Sequence, residues 1–180
     1  MIHDFWDDEK GGFTFTSAAL HQDLPYRRKE LYDGAIPSGN SVMAANLLRL
    51  GRLLGRPELE ARAGKLFDAF SGKIQEYPAA YTQLLCGLDI ALGPGKEVVV
   101  AGRTDAPDTQ ALWDVLRQEF LPNAVVLFRP TEERHPEITM LAPFTAEMKA
   151  LNGKAAAYVC SHYRCARPTT SPDELRSLLF

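Results

Sequence analysis

The amino-acid sequence predicts a mixed α and β fold, in which a helical first half precedes a small α/β subdomain. Apolar residues recur with helical spacing up to Gly93-Pro94-Gly95, and β-rich runs alternate with one strongly helical stretch after it. With 46% hydrophobic and 24% charged residues, the chain of 180 residues has the composition of a globular protein. We therefore expect two parts, residues 1–94 and residues 95–180.

The first segment predicts a β-hairpin followed by a long loop. Aromatic and β-branched residues in the segment 5–16 flank residues 8–12, which contain two glycines and are typical of a turn. Residues 20–36 show no sustained period and contain breakers such as Pro25 and Gly34, so they predict a structured loop. Structureless connections longer than about 12–15 residues are often functional.

Three helices are predicted in the rest of the first half. The first begins after capping side chains at Ser38 and ends at Gly55, where glycine suits a helix C-terminus. The second begins at Pro57, and the third begins at Pro78 and stops at Gly93. Because few residues join the first two helices, they are expected to form an antiparallel pair.

The second half predicts a strand, a helix, two further strands and a final helix. Residues 97–102 and 124–128 are short apolar runs on either side of an amphipathic segment, which is typical of a βαβ unit with parallel strands. Residues 155–160 predict a third strand, and the spacing of Ser171 and Glu174 predicts a capped C-terminal helix. We expect a short, mostly parallel sheet.

Charge and hydropathy exclude several classes of partner. Twenty Lys and Arg against 23 Asp and Glu give a net charge of -3, and no segment is basic enough to neutralise several phosphates, so no nucleic acid is expected. No apolar run approaches the roughly 20 residues that a membrane-spanning helix needs, so no membrane partner is expected. The acidic N-terminal segment lacks the basic and apolar regions of a signal peptide, which predicts a cytoplasmic protein. The three cysteines are odd in number and unevenly placed, which is not the pattern of a disulfide framework, so reduced thiols are expected.

Three segments together resemble a known family. They are residues 5–13, residues 29–41 with the run Tyr-Asp-Gly-Ala-Ile-Pro-Ser-Gly-Asn, and residues 158–170 with Cys160 and Cys165. They resemble the C-terminal part of the YyaL and spermatogenesis-associated protein 20 family. The resemblance implies long proteins with an N-terminal thioredoxin-like domain and a helical toroid similar to six-hairpin glycosidases and N-acylglucosamine 2-epimerases, of which this sequence matches about the last quarter.

The resemblance implies that residues 1–94 form part of an α/α toroid. The redox Cys-x-x-Cys of the family lies in its thioredoxin-like domain, and that motif is absent from these 180 residues. The early hairpins of the toroid are absent as well, and three helices cannot close a ring. We expect a chain that docks on those hairpins or on a second copy, and a carbohydrate-type activity that the isolated chain does not carry out.

Polar residues concentrate between Lys29 and Asn40, in the loop that leads into the first long helix. In helical toroids the loops at one rim surround the central pocket, so this loop is the candidate carbohydrate site. Glycoside hydrolysis and sugar epimerisation need a carboxylate or another base near the ring, which makes Asp33 and Glu30 the candidate catalytic residues. The candidate substrate-binding residues are Lys29, Tyr32, Ser38, Asn40 and Tyr81.

A structural interpretation of the same residues stays open. Asp33 and Asn40 are residue types that bond loop backbone, and Ser38 or Ser41 can cap the helix. Aromatic residues around the loop fit either the stacking of sugar rings or ordinary core packing. They are Phe5, Trp6, Phe13, Tyr26, Tyr32, Tyr77 and Tyr81.

The segment Cys160-Ser-His-Tyr-Arg-Cys165 offers three readings. Cys160, His162 and Cys165 are three soft metal ligands, but zinc needs a fourth and no paired short spacing supplies it, so no metal is expected. The two cysteines also form a candidate redox pair, although their spacing is not that of the oxidoreductase motif. Packing of Cys160 in a strand is the third reading.

No cofactor is expected from the turn after the first strand. One glycine, Gly102, stands where a nucleotide fingerprint needs three, and Asp105 and Asp108 would repel a phosphate. Three functions therefore remain: a carbohydrate-type pocket as part of a toroid, a non-catalytic interaction module, and a thiol redox role.

Overall fold

The computed structural model describes residues 2–23, 26–161 and 164–180, and it confirms the mixed α and β fold class. The chain forms two compact units. The first consists of the residues up to Gly51 together with Arg56–Leu92, and the second consists of Arg52–Gly55 together with Gly93–Phe180. Over the described ranges, no helix is both long enough and apolar enough to cross a membrane.

The first unit is helical. Its α-helices are α1 (Ile2–Phe5), α2 (Gly39–Leu54, whose last three residues belong to the second unit), α3 (Pro57–Glu76) and α4 (Thr82–Leu92), with 3-10 turns at Ala18–Asp23 and Pro78–Ala80. The predictions for α2 and α3 are confirmed, because Gly55 adopts a φ of +64° after α2 and Pro57 occupies the first turn of α3. The third helix begins later than predicted. Pro78–Ala80 forms a 3-10 turn, and α4 starts at Thr82 after the non-helical Tyr81.

The predicted N-terminal β-hairpin is reduced to one antiparallel bridge, between Trp6 and Phe13. Residues before the bridge form α1, since the N–H of Trp6 donates to Ile2 O. The turn itself forms as predicted, with Gly11 and Gly12 at positive φ. Thr14 still donates its N–H to Phe5 O, and the chain then leaves the first segment, because the N–H of Phe15 donates to Arg28 O in the following loop.

An apolar core holds the loops of the first unit against its helices. Buried residues of α2, α3 and α4 form its centre, and Trp6, Phe13 and Leu31 from the loops pack into it. Full burial of a large apolar side chain contributes about 1.5–3 kcal/mol, so these three anchors fix the path of the loops firmly. The helical members are Ala44, Ala45, Leu47, Leu48, Leu59, Ala63, Leu66, Phe67, Phe70, Leu84 and Ile90.

The second unit contains a four-stranded sheet with the order β2-β1-β3-β4. Its strands are β1 (Lys96–Gly102), β2 (Ala124–Pro130), β3 (Ala156–Ser161) and β4 (Arg164–Cys165). The helices are α5 (Pro107–Gln118), the one-turn α6 (Ile138–Leu141) and α7 (Pro172–Leu179), with a 3-10 turn at Pro143–Glu147. The pairing of β1 with β2 is parallel, which confirms the predicted βαβ unit with α5 as its helix.

The sheet is mixed, whereas the sequence predicts a mostly parallel one. Strand β3 runs antiparallel to β1, and β4 runs antiparallel to β3. A parallel connection needs a crossover element long enough to carry the chain back along the sheet. The segment between β2 and β3 has the length of such a connection but forms the one-turn α6 and a 3-10 turn in place of a crossover helix, and β3 enters beside β1 from the opposite end.

Side chains of the sheet alternate between two faces. Val98 and Val100 pack with Leu112 of α5 and Leu175 of α7, while Val99 and Cys160 share the other face with Met148.

The predicted capping box at the start of α7 forms one of its two hydrogen bonds. Ser171 Oγ accepts the N–H of Glu174, but the Glu174 carboxylate bonds to Thr169 Oγ1 instead of reaching back to the Ser171 backbone.

Candidate functional site

Asp33 lies where three backbone N–H groups converge. Its Oδ1 accepts from Ser38 at 2.9 Å, and its Oδ2 accepts from Gln83 at 2.9 Å and from Leu84 at 3.2 Å. Gln83 and Leu84 belong to the first turn of α4, whose N–H groups have no partner within the helix. The carboxylate therefore caps α4 and ties it to the loop that precedes α2, in the way the structural interpretation describes.

Asn40 is almost fully buried, with 3% of its surface exposed, and its amide joins two loops. Its Oδ1 accepts the N–H of Phe13 at 2.7 Å, and its Nδ2 donates to Phe13 O and to Glu30 O. All three bonds reach backbone atoms, so the side chain fixes the spacing between the segment at Phe13 and the segment at Glu30.

Ser38 and Lys29 also bond within the fold. Ser38 Oγ accepts the N–H of Ser41 at 3.1 Å and lies 2.8 Å from Ser41 Oγ, which is the predicted cap of α2. Lys29 Nζ forms an ion pair with Asp7 at 2.8 Å and donates to Gly11 O. The Lys29 ammonium and two turn N–H groups that donate to Asp7 Oδ1 hold the pKa of Asp7 below its ordinary value.

The two tyrosines of the predicted site point to different environments. Tyr32 is 63% exposed, whereas Tyr81 is half-buried and packs on the core of the first unit. Glu30 is exposed, and its carboxylate lies 3.7 Å from the Arg28 guanidinium in a solvent-screened pair.

A cleft of about 310 Å³ opens beside this loop in the first unit. It brings together Glu30 and Asn40 of the predicted site residues, but it is not lined by Lys29, Tyr32, Asp33, Ser38 or Tyr81. The lining residues are Phe5, Phe13, Thr14, Phe15, Glu30, Gly39, Asn40 and Met43.

The walls of the cleft are apolar and aromatic. Phe13 is buried, while Phe15, two residues later, is 73% exposed. The cleft is also lined by Phe15, Thr14 and Met43, which were not predicted from the sequence. For Phe15 the available signal was the Phe-Thr-Phe pattern in residues 13–15, because residues i and i+2 of an extended segment face the same side. Of the described residues that line the cleft, Glu30 is the one that carries a carboxylate.

Cys160 and Cys165 form a disulfide, which corrects the expectation of reduced thiols. The two residues are direct cross-strand partners of β3 and β4, so strand pairing brings their sulfur atoms together.

His162, the third candidate metal ligand, lies outside the described residues, and so does Pro25 of the long loop. Within the described part of the chain, no group of three or more His, Cys, Asp or Glu side chains could hold a metal ion. Cys86 is an exposed free cysteine.

Two carboxylates near the turn after β1 accept backbone N–H groups. Asp108 accepts the N–H of Ala155 at 2.7 Å and that of Thr109 at 3.0 Å, which lowers its pKa. The Glu132 carboxylate, after β2, accepts the hydroxyl and the N–H of Thr104, and these bonds lower its pKa to about 2. Asp108 thus ties the start of α5 to the residue before β3, and Glu132 ties the segment after β2 to the turn after β1.

Fold and cleft together define a class of mixed α/β protein: a helical unit with an aromatic cleft that carries one carboxylate, and a unit with a small mixed sheet and a disulfide hairpin. No family model matches the sequence.

Comparison with curated proteins finds relatives that are much longer than this chain. The chain is 35% identical to human spermatogenesis-associated protein 20 and 34% identical to the rat protein, in both cases over 175 residues, which are 97% of this chain and 22% of the relative. An uncharacterized protein of Caenorhabditis elegans, B0495.5, is 28% identical over 174 residues. The chain thus spans about a fifth of the length of the curated relatives it matches, at their C-terminal end.

Proposed function

We propose that the chain acts as the C-terminal part of a helical-toroid protein and contributes one wall of a carbohydrate-type pocket. The observation that carries this proposal is the cleft of the first unit, which is lined by Phe5, Phe13 and Phe15 together with Glu30. Sugars present flat C–H faces that stack on aromatic rings and hydroxyl groups that donate to carboxylates. The volume of about 310 Å³ falls at the lower end of the range for small-molecule sites.

The geometry supports binding by this chain more than a complete reaction. Hydrolysis of a glycoside requires a pair of carboxyl groups, and Glu30 is the single carboxylate among the described lining residues. The Asp33 carboxylate already accepts three backbone N–H groups and lies off the cleft. In this proposal Glu30 orients a sugar, and a second carboxylate comes from the toroid hairpins of the longer protein.

A thermal-shift panel of neutral, acidic and N-acetylated sugars tests this proposal on the 180-residue chain. At least one sugar is expected to raise the unfolding midpoint, and Phe15→Ala and Glu30→Gln should each remove that increase. Phe120→Ala is the matched control, since Phe120 is 86% exposed and lies in the second unit. A panel in which no sugar raises the midpoint would argue against the pocket.

A second function, the interaction module, is favoured by apolar side chains that the first unit leaves in solvent. Ile36 is 81% exposed, and Tyr32 and Tyr77 are each 63% exposed. Exposed apolar side chains mark a protein contact where they form one patch, and we propose that these three belong to such a patch. Because the match covers 22% of the relative, almost four-fifths of the longer protein lies outside it. The occupant we propose is the set of toroid hairpins that precede this region in the longer proteins.

Light scattering across a concentration series tests the interaction module. A chain whose docking surface lacks its partner should grow in apparent mass with concentration, and Ile36→Ser should reduce that growth. A constant monomer mass at all concentrations would contradict an exposed docking surface.

A further inference from the structure

The disulfide between Cys160 and Cys165 lines a cleft in the second unit. This cleft has a volume of about 350 Å³. Its lining residues all belong to the second unit, and they are Arg52, Gly55, Glu97, Phe144, Met148, Cys160 and Cys165. The site is separate from the aromatic cleft of the first unit, so an inference drawn from it does not rest on the carbohydrate proposal.

The two sulfur-bearing residues differ sharply in exposure. Cys160 in β3 is 5% exposed and packs with Val99 and Met148, whereas Cys165 in the edge strand β4 is exposed. Thiol–disulfide exchange depends on access of the attacking thiolate to one of the two sulfur atoms. An incoming thiol therefore reaches Cys165 more easily than Cys160.

We propose that Cys165 is a site of reversible modification by a low-molecular-weight thiol that occupies this cleft. The thiolate of the small molecule attacks Cys165 Sγ, and a new S–S bond forms as the Cys160–Cys165 bond breaks. Cys160 leaves as a thiolate and takes up the proton that the small thiol has lost. One disulfide and one thiol enter the exchange and one of each leaves it, so no further oxidant or reductant is needed. In the reverse step, Cys160 attacks the same sulfur and expels the small thiol.

Size and chemistry of the cleft favour a small thiol over a protein thiol. A volume of about 350 Å³ lies in the range that holds small ligands, and Phe144 and Met148 supply apolar walls. Arg52 and Glu97, which are both buried, also line the cleft, but both already have partners within the protein, so the size and the apolar walls of the cleft are what favour a small thiol. Glutathione is the small thiol that serves as the probe.

Peptide mapping by mass spectrometry tests the site, with reduced glutathione as the probe. The Cys86→Ser chain is used, because the exposed Cys86 would otherwise react as well. After exposure to the probe and alkylation of free thiols, glutathione is expected on Cys165 and the alkyl group on Cys160, with a preference of about tenfold or more set by access. Equal labelling of both cysteines, labelling of Cys160 alone, or no adduct would each overturn the proposal.

The role of the cleft is tested by comparing rates of exchange for glutathione and for 2-mercaptoethanol, a small thiol without charged groups. Phe144→Ala should slow the reaction of glutathione more than that of 2-mercaptoethanol, because it removes a wall of the cleft. Phe120→Ala, at an exposed ring that does not line the cleft, should change neither rate. Equal effects of Phe144→Ala on both thiols would show that no ligand is held there.

Discussion

The Oδ2 atom of Asp33 accepts a hydrogen bond from the backbone N–H of Gln83 at 2.9 Å, across fifty positions of the sequence. Asp33 also receives the N–H groups of Leu84 and Ser38, and its own N–H donates to Ala80 O. One carboxylate thus closes the loop before α2 and caps α4. These bonds are the ones that the structural interpretation of Asp33 predicts.

Replacing Asp33 with alanine should destabilise the chain by about 2 kcal/mol, because the two N–H groups of the α4 cap and the N–H of Ser38 lose their acceptor together. Asp33→Asn retains one acceptor oxygen and should lose less. Urea unfolding measures both changes. If sugars bind the cleft at Phe15, Asp33→Asn should lower the unfolding midpoint and still leave the ligand-induced increase in place. Wild-type stability in Asp33→Ala would contradict the capping role.

Two glycines of the first unit should respond to alanine in opposite directions. Gly11 has a φ of +67°, and a Cβ there would lie 2.7 Å from Lys65 O, so Gly11→Ala should cost about 1–2 kcal/mol or more. Gly64 lies in the exposed interior of α3 with open space around the added carbon, and Gly64→Ala should stabilise by about 0.5–1 kcal/mol. Denaturant unfolding of the pair checks both signs, and equal effects would contradict the turn geometry.

The Glu132 pKa of about 2 depends chiefly on the Thr104 hydroxyl. Thr104→Val removes that donor and keeps the backbone N–H, so the pKa should rise part of the way toward its ordinary 4.5. Carboxyl NMR titration measures the change. Thr139→Val, which removes a hydroxyl that donates to Pro136 O, is the control and should leave the Glu132 pKa unchanged. An unchanged value in Thr104→Val would show that the hydroxyl is not the cause.

The ion pair of Asp7 with Lys29 should make stability depend on pH in the acidic range. The pKa of Asp7 is depressed below 3.8 in the folded chain, so the stabilisation is present above that pH and is lost as the pH falls through the folded value. Unfolding free energy measured from pH 6 to pH 2 should therefore decline less in Asp7→Asn than in the wild type. Asp8→Asn, at the neighbouring exposed carboxylate, should keep the wild-type decline. Identical profiles for Asp7→Asn and the wild type would refute the contribution.

Local sequence signals explain which elements could be predicted. Helices α2 and α3 combine apolar residues spaced three and four positions apart with Gly55 and Pro57 at their junction. Each of these signals lies within the helix it describes or next to its end. The N-terminal hairpin and the direction of β3 depend on partners far along the chain. Phe15 bonds to Arg28 and β3 enters beside β1, and no local pattern encodes either choice.

The candidate site could be predicted only as a segment. The density of polar residues between Lys29 and Asn40 marked a loop that contributes Glu30 and Asn40 to the cleft. Polarity does not distinguish a side chain that bonds backbone from one that faces a cleft. Asn40 does both, because it lines the cleft and holds Phe13 in place. Phe15 escaped notice because its exposure depends on where the chain leaves the bridge at Phe13.

Amide NMR of the 180-residue chain, titrated with each sugar of the panel, tests whether the cleft of the first unit binds a sugar, since it reports both binding and location. We expect a saturable change in the amide signals of Phe13, Phe15, Glu30 and Asn40, with the signals of β1 and α7 unchanged. Signals around Phe15 and Glu30 that stay fixed with every sugar, or changes confined to other parts of the chain, would contradict it.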